Sequence, residues 1–302
     1  MDWKNSDLIS MRGVGRDAIE KVLRGAARYD AAAREKKFLK ELDGRLLATL
    51  FFEPSTRTQF SFRTAMLRMG GNVIGFSDAQ VTSVSKGETV HDTMKFIEGC
   101  ADIVAIRHPN DGAAQVAADS CGVPVINAGD GANEHPTQAL VDLFTMQKEK
   151  KAIDGLTILM LGDLKYGRTV HSLLHALCNF NDVTVLLQSP PALKMPSELV
   201  HEARGHLKVR EVEKLDFSDA DVVYATRIQR ERFADPDEYK KYSYRIDAEK
   251  LRELKSDAVL LHPLPRVGEI DPEIDSDARA AYFRQENNGI PVRMAVLKEI
   301  LG

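Results

Sequence analysis

The sequence has little cysteine and no excess of positive charge. Its three cysteines are widely spaced and lie among apolar residues, so we expect reduced thiols in the core and no disulfides: Cys100, Cys121 and Cys178. Lysine and arginine number 41 against 45 aspartates and glutamates, which gives a net charge of -4. This balance argues against a protein that binds nucleic acid through bulk charge.

Long apolar runs are also absent. No stretch reaches the length of a membrane span, and residues 1–5 lack the apolar core of a signal peptide. We therefore predict a cytoplasmic protein with neither membrane nor nucleic-acid partners.

Strand and helix patterns alternate along almost the whole chain of 302 residues. This alternation predicts an α/β protein of two domains, each a parallel sheet flanked by helices. Strands are predicted at 45–52, 72–76, 102–107, 123–127, 157–161, 183–188, 209–212, 222–226 and 258–262. Helices are predicted at 58–69, 88–99, 135–148, 168–179, 197–206, 247–254 and 291–301. Ligands of open α/β sheets bind where strands end, so we expect the active site in the cleft between the domains.

One segment places three hydroxyls and a guanidinium where a helix is about to begin: Ser55, Thr56, Arg57 and Thr58. A helix start presents unpaired backbone N–H groups and the positive end of the helix dipole, so it suits a phosphate. Arginine can bind two oxygens of such an anion at once. An ordinary helix cap is the alternative, because serine and threonine cap many helices that bind nothing.

Further polar groups lie at element ends in the first half of the chain. Lys86 precedes a predicted helix and is either a phosphate contact or an ordinary exposed lysine. Arg107 ends a buried strand and requires an anion, either a ligand or a structural carboxylate. His135 and Gln138 share one face of a helix start, where they could hold a carbonyl oxygen and an NH2 group. A structural histidine is the alternative there.

The second half carries groups that suit carboxylates and amines. Arg168 lies at a predicted helix start, where a cation opposes the dipole unless an anion accompanies it. Arg227 and Gln229 alternate to one side of an extended segment, unless that segment is a solvated loop. The carbonyls of the segment 262–266 could accept from an amine, and Arg266 adds a further cation.

Two cofactor readings are rejected. The loop 161–169 joins a strand to a helix but lacks the glycine fingerprint of a dinucleotide site. His171 and His175 have a spacing that metals use, but no third ligand lies near them in the sequence. We predict neither a metal nor an organic cofactor.

Five motifs occur in a fixed order: Ser55-Thr56-Arg57-Thr58, Arg107-His108-Pro109, His135-Pro136-Thr137-Gln138, Arg227-x-Gln229-x-Glu231-Arg232 and His262-Pro263-Leu264-Pro265-Arg266. Over essentially its whole length the chain resembles the catalytic chains of the aspartate carbamoyltransferase family, within the aspartate/ornithine carbamoyltransferase superfamily. The resemblance implies transfer of the carbamoyl group of carbamoyl phosphate to the α-amine of L-aspartate, the committed step of de novo pyrimidine biosynthesis. It implies no cofactor.

The same resemblance implies a domain plan. Residues 1–134 would bind carbamoyl phosphate, 135–150 would form an interdomain helix, and 151–287 would bind aspartate. A C-terminal helix at about 288–302 would pack back on the first domain. The family forms homotrimers with active sites shared between subunits. The sequence leaves open whether regulatory chains or another pyrimidine-pathway enzyme bind the chain.

Residue roles also follow from the resemblance. Carbamoyl phosphate would be bound by Ser55, Thr56, Arg57, Thr58, Arg107, His135 and Gln138. Aspartate would be bound by Arg168, Arg227, Gln229 and Lys86, and the carbonyls of Pro263 and Leu264 would orient the amines. Ser83 (or Thr82) and Lys86 would enter the neighbouring subunit's site and contact carbamoyl phosphate, and Glu53 would pair with Arg168 and Arg232 on domain closure. The catalytic set is Arg57, Thr58, Lys86, Arg107 and His135.

The chemistry expected of these groups is stabilisation of negative charge on the carbamoyl oxygen by Thr58, Arg107 and His135. His135 would act as a neutral donor, and the departing phosphate would accept the amine proton. Ornithine carbamoyltransferase is the nearest alternative, but its acceptor element typically reads His-Cys-Leu-Pro where this chain has His262-Pro263-Leu264-Pro265. A non-catalytic scaffold subunit of the same fold is the other alternative.

Overall fold

The computed structural model describes residues 2–213, 216–229, 233 and 241–302. Two compact units make up the chain: Met1–Phe144 together with Asn288–Gly302, and Thr145–Asn287. The helices and strands of the first unit are α1 (Arg16–Arg34), β1 (Leu46–Phe51), α2 (Thr56–Arg68), β2 (Asn72–Phe76), α3 (Val90–Ile97), β3 (Ile103–His108), α4 (Ala113–Ser120) and β4 (Val125–Asp130). Two single-turn 3-10 helices, Ala79–Val81 and Ser83–Lys86, lie between β2 and α3.

The first unit is built on a parallel four-stranded sheet in the order β2-β1-β3-β4. Its central strands are almost wholly apolar and buried, as strands covered on both faces are. The N-terminal segment adds a parallel bridge from Leu8 to Ile126 at the β4 edge. At the opposite edge Gly75 has φ +131°, and a Cβ there would lie 2.1 Å from the Thr49 carbonyl oxygen, so only glycine fits.

Helix α5 (Pro136–Lys150) contains the boundary between the units. The second unit then contains β5 (Thr157–Leu161), α6 (Arg168–Leu177), β6 (Thr184–Gln188), α7 (Ser197–Arg204), β7 (Lys208–Glu211), β8 (Val222–Ala225), α8 (Ala248–Arg252) and β9 (Val259–Leu261). Its five strands form a parallel sheet in the order β7-β6-β5-β8-β9. Helix α9 (Tyr282–Leu301) ends the chain. The predicted fold of two helix-flanked parallel sheets is confirmed, whereas the cleft between them stays a prediction.

Three details differ from the sequence predictions. Helices α1 and α4 were not predicted. The last helix begins at Tyr282 and not at 291, with Pro291 inside it. The buried side chain of Tyr282 packs in the core of the second unit, and this packing extends the helix N-terminally beyond Pro291.

The cysteines are the third difference. Cys100 is exposed, and Cys121 and Cys178 are partly buried, so the expectation of three core thiols is wrong for Cys100, which lies in the turn after α3. Burial raises the pKa of Cys178 to about 11 and also raises that of Cys121, which keeps both as thiols at neutral pH. Across the described part of the chain, no helix has the length and apolarity needed to span a bilayer.

Candidate active site

In the first unit the residues predicted to bind carbamoyl phosphate lie at or after the ends of neighbouring strands. Strands β1, β3 and β4 are parallel neighbours, so their carboxyl ends meet at one edge of the sheet. The backbone N–H of Phe52, just after β1, donates to the carbonyl of Arg107 in β3 at 2.8 Å. The start of α2 and the guanidinium of Arg107 therefore share this edge with the β4–α5 loop that ends at His135.

The start of α2 favours anion binding over simple capping. Ser55 occupies the N-cap position with φ -159° and ψ 97°, yet its hydroxyl makes no capping hydrogen bond. No acidic residue lies in the first turn, where its charge would interact favourably with the positive end of the helix dipole. Thr56 and Arg57 are exposed and Thr58 is buried, so the four polar groups surround the helix start at different depths. This geometry suits a phosphate at the helix N-terminus.

Arg107 has a carboxylate partner. Its Nε lies 3.2 Å from Oε2 of Glu53, and its Nη1 donates to the carbonyl of Ala128 at 3.3 Å. Arg107 therefore has the structural carboxylate partner that the sequence offered as the alternative to a ligand. A guanidinium has five N–H donors, so binding one carboxylate oxygen is compatible with binding an anion as well. Glu53, which the resemblance paired with Arg168 and Arg232, is here a partner of Arg107.

The loop that carries His135 is held by a buried carboxylate that the sequence did not reveal. Asp130 accepts from the backbone N–H groups of Gly112 (2.8 Å) and Glu134 (3.2 Å) and from the side-chain amides of Asn127 (2.8 Å) and Asn133 (3.0 Å). Four donors on one carboxylate fix the loop conformation. His135, with 3% of its surface exposed, is thereby presented just before Pro136 at the start of α5.

The glutamate preceding His135 is fixed in the same way. Glu134 accepts from the backbone N–H of Met11 at 2.9 Å and from the hydroxyl of Ser10. On the other side of His135, Gln138 is buried in the first turn of α5 and donates through Nε2 to Asp142 at 2.8 Å. The residues that carry the imidazole and the amide predicted to act together lie one turn apart, and both are buried.

The loop predicted to reach a neighbouring subunit is exposed. Ser83 and Lys86 lie at the two ends of the 3-10 helix Ser83–Lys86, and both side chains are exposed. Thr82 is the N-cap of this helix: its hydroxyl accepts from the N–H of Val84 at 3.3 Å and donates to the carbonyl of Ala79 at 2.7 Å. Thr82 is thus used inside its own chain, which favours Ser83 as the outward-facing residue.

In the second unit, Asp163 is a site residue that the sequence reasoning missed. It follows β5, is fully buried, and accepts from the backbone N–H groups of Tyr166 at 3.0 Å and Gln229 at 3.3 Å. Burial raises the pKa of the Asp163 carboxyl above its usual value. Gln229 in turn donates through Nε2 to the carbonyl of Tyr166 at 2.8 Å. The sequence feature that could have drawn attention to Asp163 is the preceding residue, Gly162. Its φ is +114°, and a Cβ there would lie 2.2 Å from the Thr226 carbonyl oxygen, so the turn requires glycine.

The segment after β9 is held by a buried pair. His262 Nε2 lies 2.8 Å from Oε1 of Glu269, and His262 Nδ1 accepts from the backbone N–H of Leu264 at 2.8 Å. Burial acts to raise the pKa of Glu269, but the hydrogen bond and charge interaction with His262 and the backbone hydrogen bonds together outweigh it, so the pKa lies below its usual value. The backbone N–H of Leu264 is thereby bound by His262, in the segment whose carbonyls at Pro263 and Leu264 were predicted to orient amines.

Arg266, the further cation noted in the sequence, is paired within the chain. Arg266 donates through Nη2 to Oδ2 of Asp275 at 2.7 Å and through Nη1 to the hydroxyl of Tyr282 at 3.2 Å. Asp275 and Tyr282 therefore balance its charge within the chain, and we do not assign Arg266 to the ligand-binding set.

The remaining residues of the second half are only partly described. Arg168 opens α6 and is partly buried, as is Arg227 after β8. Arg232 lies outside the described residues.

His171 Nε2 contacts the Leu164 carbonyl at 2.9 Å, and His175 Nδ1 lies 3.9 Å from Glu202. No three histidine, cysteine or acidic side chains of the described ranges are grouped as metal ligands.

Comparison with protein families covers both units. Residues 6–148 match the carbamoyl-P binding domain of aspartate/ornithine carbamoyltransferases, and residues 154–300 match their Asp/Orn binding domain. The chain belongs to the aspartate/ornithine carbamoyltransferase family. The resemblance inferred from the motifs is thereby confirmed.

Relatives within the aspartate/ornithine carbamoyltransferase family are similar over nearly their full length. The aspartate carbamoyltransferase catalytic subunit of Methanococcus maripaludis is 53% identical over 293 residues, 96% of each chain. That of Thermococcus kodakarensis is 53% identical, with 100% of this chain and 99% of the relative covered. The crystal structure of aspartate transcarbamoylase from Trypanosoma cruzi with carbamoyl phosphate and aspartate has a TM-score of 0.94 and 37% identity, and covers 99% of this chain and 98% of the other.

Proposed function

We propose that the chain transfers the carbamoyl group of carbamoyl phosphate to the α-amine of L-aspartate, giving N-carbamoyl-L-aspartate and phosphate. The observation that carries this proposal is the 53% identity to aspartate carbamoyltransferase catalytic subunits over nearly the whole chain. A Trypanosoma cruzi relative with TM-score 0.92 was crystallised with carbamoyl aspartate and phosphate, the products of this reaction. The reaction is the committed step of de novo pyrimidine biosynthesis, and its place in the cytoplasm stays a prediction.

In the first unit we assign the phosphate of carbamoyl phosphate to Ser55, Thr56, Arg57 and Thr58. The helix start supports this assignment, as does the hydroxyl of Ser55, which makes no capping hydrogen bond to the helix. Arg107 would bridge the phosphate and the carbonyl oxygen, with His135 donating to that oxygen and Gln138 accepting from the carbamoyl nitrogen. Donors fixed before the reaction stabilise the charge that builds on the carbonyl oxygen without further reorganisation.

In the second unit we assign the aspartate carboxylates to Arg168, Arg227 and Gln229. The hydrogen bonds that fix Gln229 to Asp163 and Tyr166 support a rigid acceptor site. The carbonyls of Pro263 and Leu264 would orient the attacking amine. No side chain is assigned as the base, and the departing phosphate would take the amine proton as the C–N bond forms and the C–O bond to phosphate breaks. Closure would bring Glu53, Arg168 and Arg232 together.

The chain would work as a homotrimer in which Ser83 and Lys86 complete the site of a neighbour. The exposure of both side chains supports this, as do the exposed apolar residues of the first unit at α2, β2 and the adjoining 3-10 helix: Phe60, Leu67, Ile74 and Val81. Two variants with reduced activity, Arg57→Ala and Lys86→Ala, can be dissociated, mixed and reassembled. If Lys86 acts in a neighbour's site, one interface of each mixed trimer carries both native residues and activity returns; action within one chain predicts no recovery.

The reaction itself is tested by assaying L-aspartate and L-ornithine in parallel with carbamoyl phosphate. Turnover of aspartate alone is expected. Turnover of ornithine would favour the alternative acceptor and overturn the roles given to Arg227 and Gln229. Inactivity with both would favour a scaffold subunit or a requirement for a regulatory or pathway partner.

A further inference from the structure

Two buried side chains one turn apart on α5 face each other. Gln138 donates through Nε2 to Oδ1 of Asp142 at 2.8 Å, with 8% of Gln138 and none of Asp142 exposed. A carboxylate offers only acceptor oxygens, so the side-chain amide has to turn its NH2 group towards Asp142. The amide oxygen of Gln138 is then directed away from Asp142, from the opposite edge of the planar amide, and the amide cannot reverse without placing two oxygens together.

This fixed direction matters because Gln138 lies one turn from His135. The backbone N–H of Gln138 donates to the carbonyl of His135 at 2.9 Å in the first turn of α5. The proposed function, on which this inference rests, places the carbamoyl group at these two residues. The carbamoyl group differs from an acetyl group only in having an NH2 where acetyl has a methyl, so discrimination between them needs a hydrogen-bond acceptor at that position.

We propose that Asp142 is a positioning residue that fixes the Gln138 amide with its oxygen towards the carbamoyl NH2, and so selects carbamoyl phosphate against acyl phosphates without that NH2. A methyl group at this position would leave the buried amide oxygen without a donor. Sites that hydrogen-bond a substrate polar group reject analogues lacking it far more strongly than apolar pockets reject a small change in size. Asp142 acts through Gln138 and needs no contact with the substrate.

The test uses acetyl phosphate as the probe, because it keeps the phosphate and replaces the NH2 by a methyl group. The KM of carbamoyl phosphate and the inhibition constant of acetyl phosphate are measured in one aspartate carbamoylation assay. In Asp142→Asn the new amide can donate or accept, so Gln138 is free to reverse. We expect the KM of carbamoyl phosphate to rise about tenfold and the inhibition constant of acetyl phosphate to change less than about twofold.

Asp102→Asn is the matched control. Asp102 also lies in the first unit and accepts from a backbone N–H, that of Leu46 at 2.8 Å, and from Arg45 at 3.0 Å. The same isosteric loss of charge there is expected to leave the ratio of the two constants unchanged. A purely structural role for Asp142 predicts that both constants rise together or that neither changes, and either result would overturn the proposal.

The double variant Gln138→Glu with Asp142→Asn keeps an acceptor towards the substrate, because the donor and acceptor of the pair are exchanged. It moves the charge one turn nearer to the anionic substrates, so both constants are expected to rise while their ratio stays near that of the wild type. This variant carries the test alone if Asp142→Asn does not fold, and loss of discrimination in it contradicts the proposal. Wild-type protein that does not carbamoylate aspartate would instead overturn the proposed function.

Discussion

The two units present their ligand groups in different ways. In the first unit two sets of groups lie at helix starts, residues 55–58 at α2 and His135 with Gln138 at α5, while Arg107 lies in β3. In the second unit Arg168 opens α6, but the other proposed groups lie on loops after β8 and β9. Gln229 is bound to Asp163 and Tyr166, which lie 66 and 63 residues away in the sequence. A helix start supplies its own donors, whereas a loop has to be fixed by its neighbours.

Cationic side chains of the two units also differ in their surroundings. The cations Arg57 and Lys86 of the first unit are exposed, whereas Arg266 of the second unit is paired with Asp275. We infer that substitutions at Arg57 and His135 of the first unit change the chemical step, whereas Asp142 acts on the binding of carbamoyl phosphate. Substitutions in the second unit should change the affinity for the acceptor substrate.

The largest expected effect is that of Arg57→Ala. Loss of the guanidinium from the start of α2 is expected to lower kcat/KM about 1,000-fold, or about 4 kcal/mol, because charge develops on the phosphate and carbonyl oxygens in the transition state. Steady-state kinetics measure it. Arg68→Ala, in the last turn of the same helix, is the control and is expected to change kcat/KM less than about twofold. A loss below about tenfold at Arg57 would remove it from the phosphate site.

His135→Ala is expected to lower kcat about 100-fold, or about 2.7 kcal/mol, with a smaller change in the KM of aspartate. The reason is that a buried donor to the carbonyl oxygen contributes more as negative charge builds there. His135→Asn keeps a donor and should recover part of the rate. Full turnover by His135→Ala would exclude the imidazole from the reaction.

Asp163→Asn tests the second unit. Because the carboxylate fixes the backbone at Tyr166 and Gln229, its loss is expected to raise the KM of aspartate about tenfold, or about 1.4 kcal/mol. The KM of carbamoyl phosphate should change less than about twofold. Asp221→Asn serves as the control, since Asp221 accepts from the backbone N–H of Thr157 at the other end of β5, at 2.8 Å. Equal changes in both KM values would contradict the division between the units.

This contrast also explains what the sequence could predict. The strands 72–76 and 157–161 were predicted with the bounds that the structure has, because an apolar run between turn residues is a local signal. The phosphate motif at Ser55 was equally local. Asp130 was missed although three of its four donors lie within four residues of it, because the loop conformation that turns these donors towards one carboxylate has no sequence signature. Asp163 was missed because one of its two donors, the backbone N–H of Gln229, lies 66 residues away in the sequence. The roles of the site residues stay predictions until such variants are measured.

The smallest expected effect is that of Arg266→Gln, and it tests whether every strand-end arginine of the second unit binds substrate. Its guanidinium is bound by Asp275 and Tyr282, so the KM of aspartate is expected to change less than about twofold. The hydrogen bond from Arg266 lowers the pKa of Asp275 below its usual value, so this pair contributes stability above the usual pKa of an aspartate and loses it as the pH falls through the lowered pKa. Because the pair is partly exposed, the free energy of unfolding should fall by less than about 1 kcal/mol at neutral pH, and the melting curves of the two proteins should converge in acid. A tenfold rise in the KM of aspartate would instead return Arg266 to the substrate-binding set and weaken the contrast between the two units.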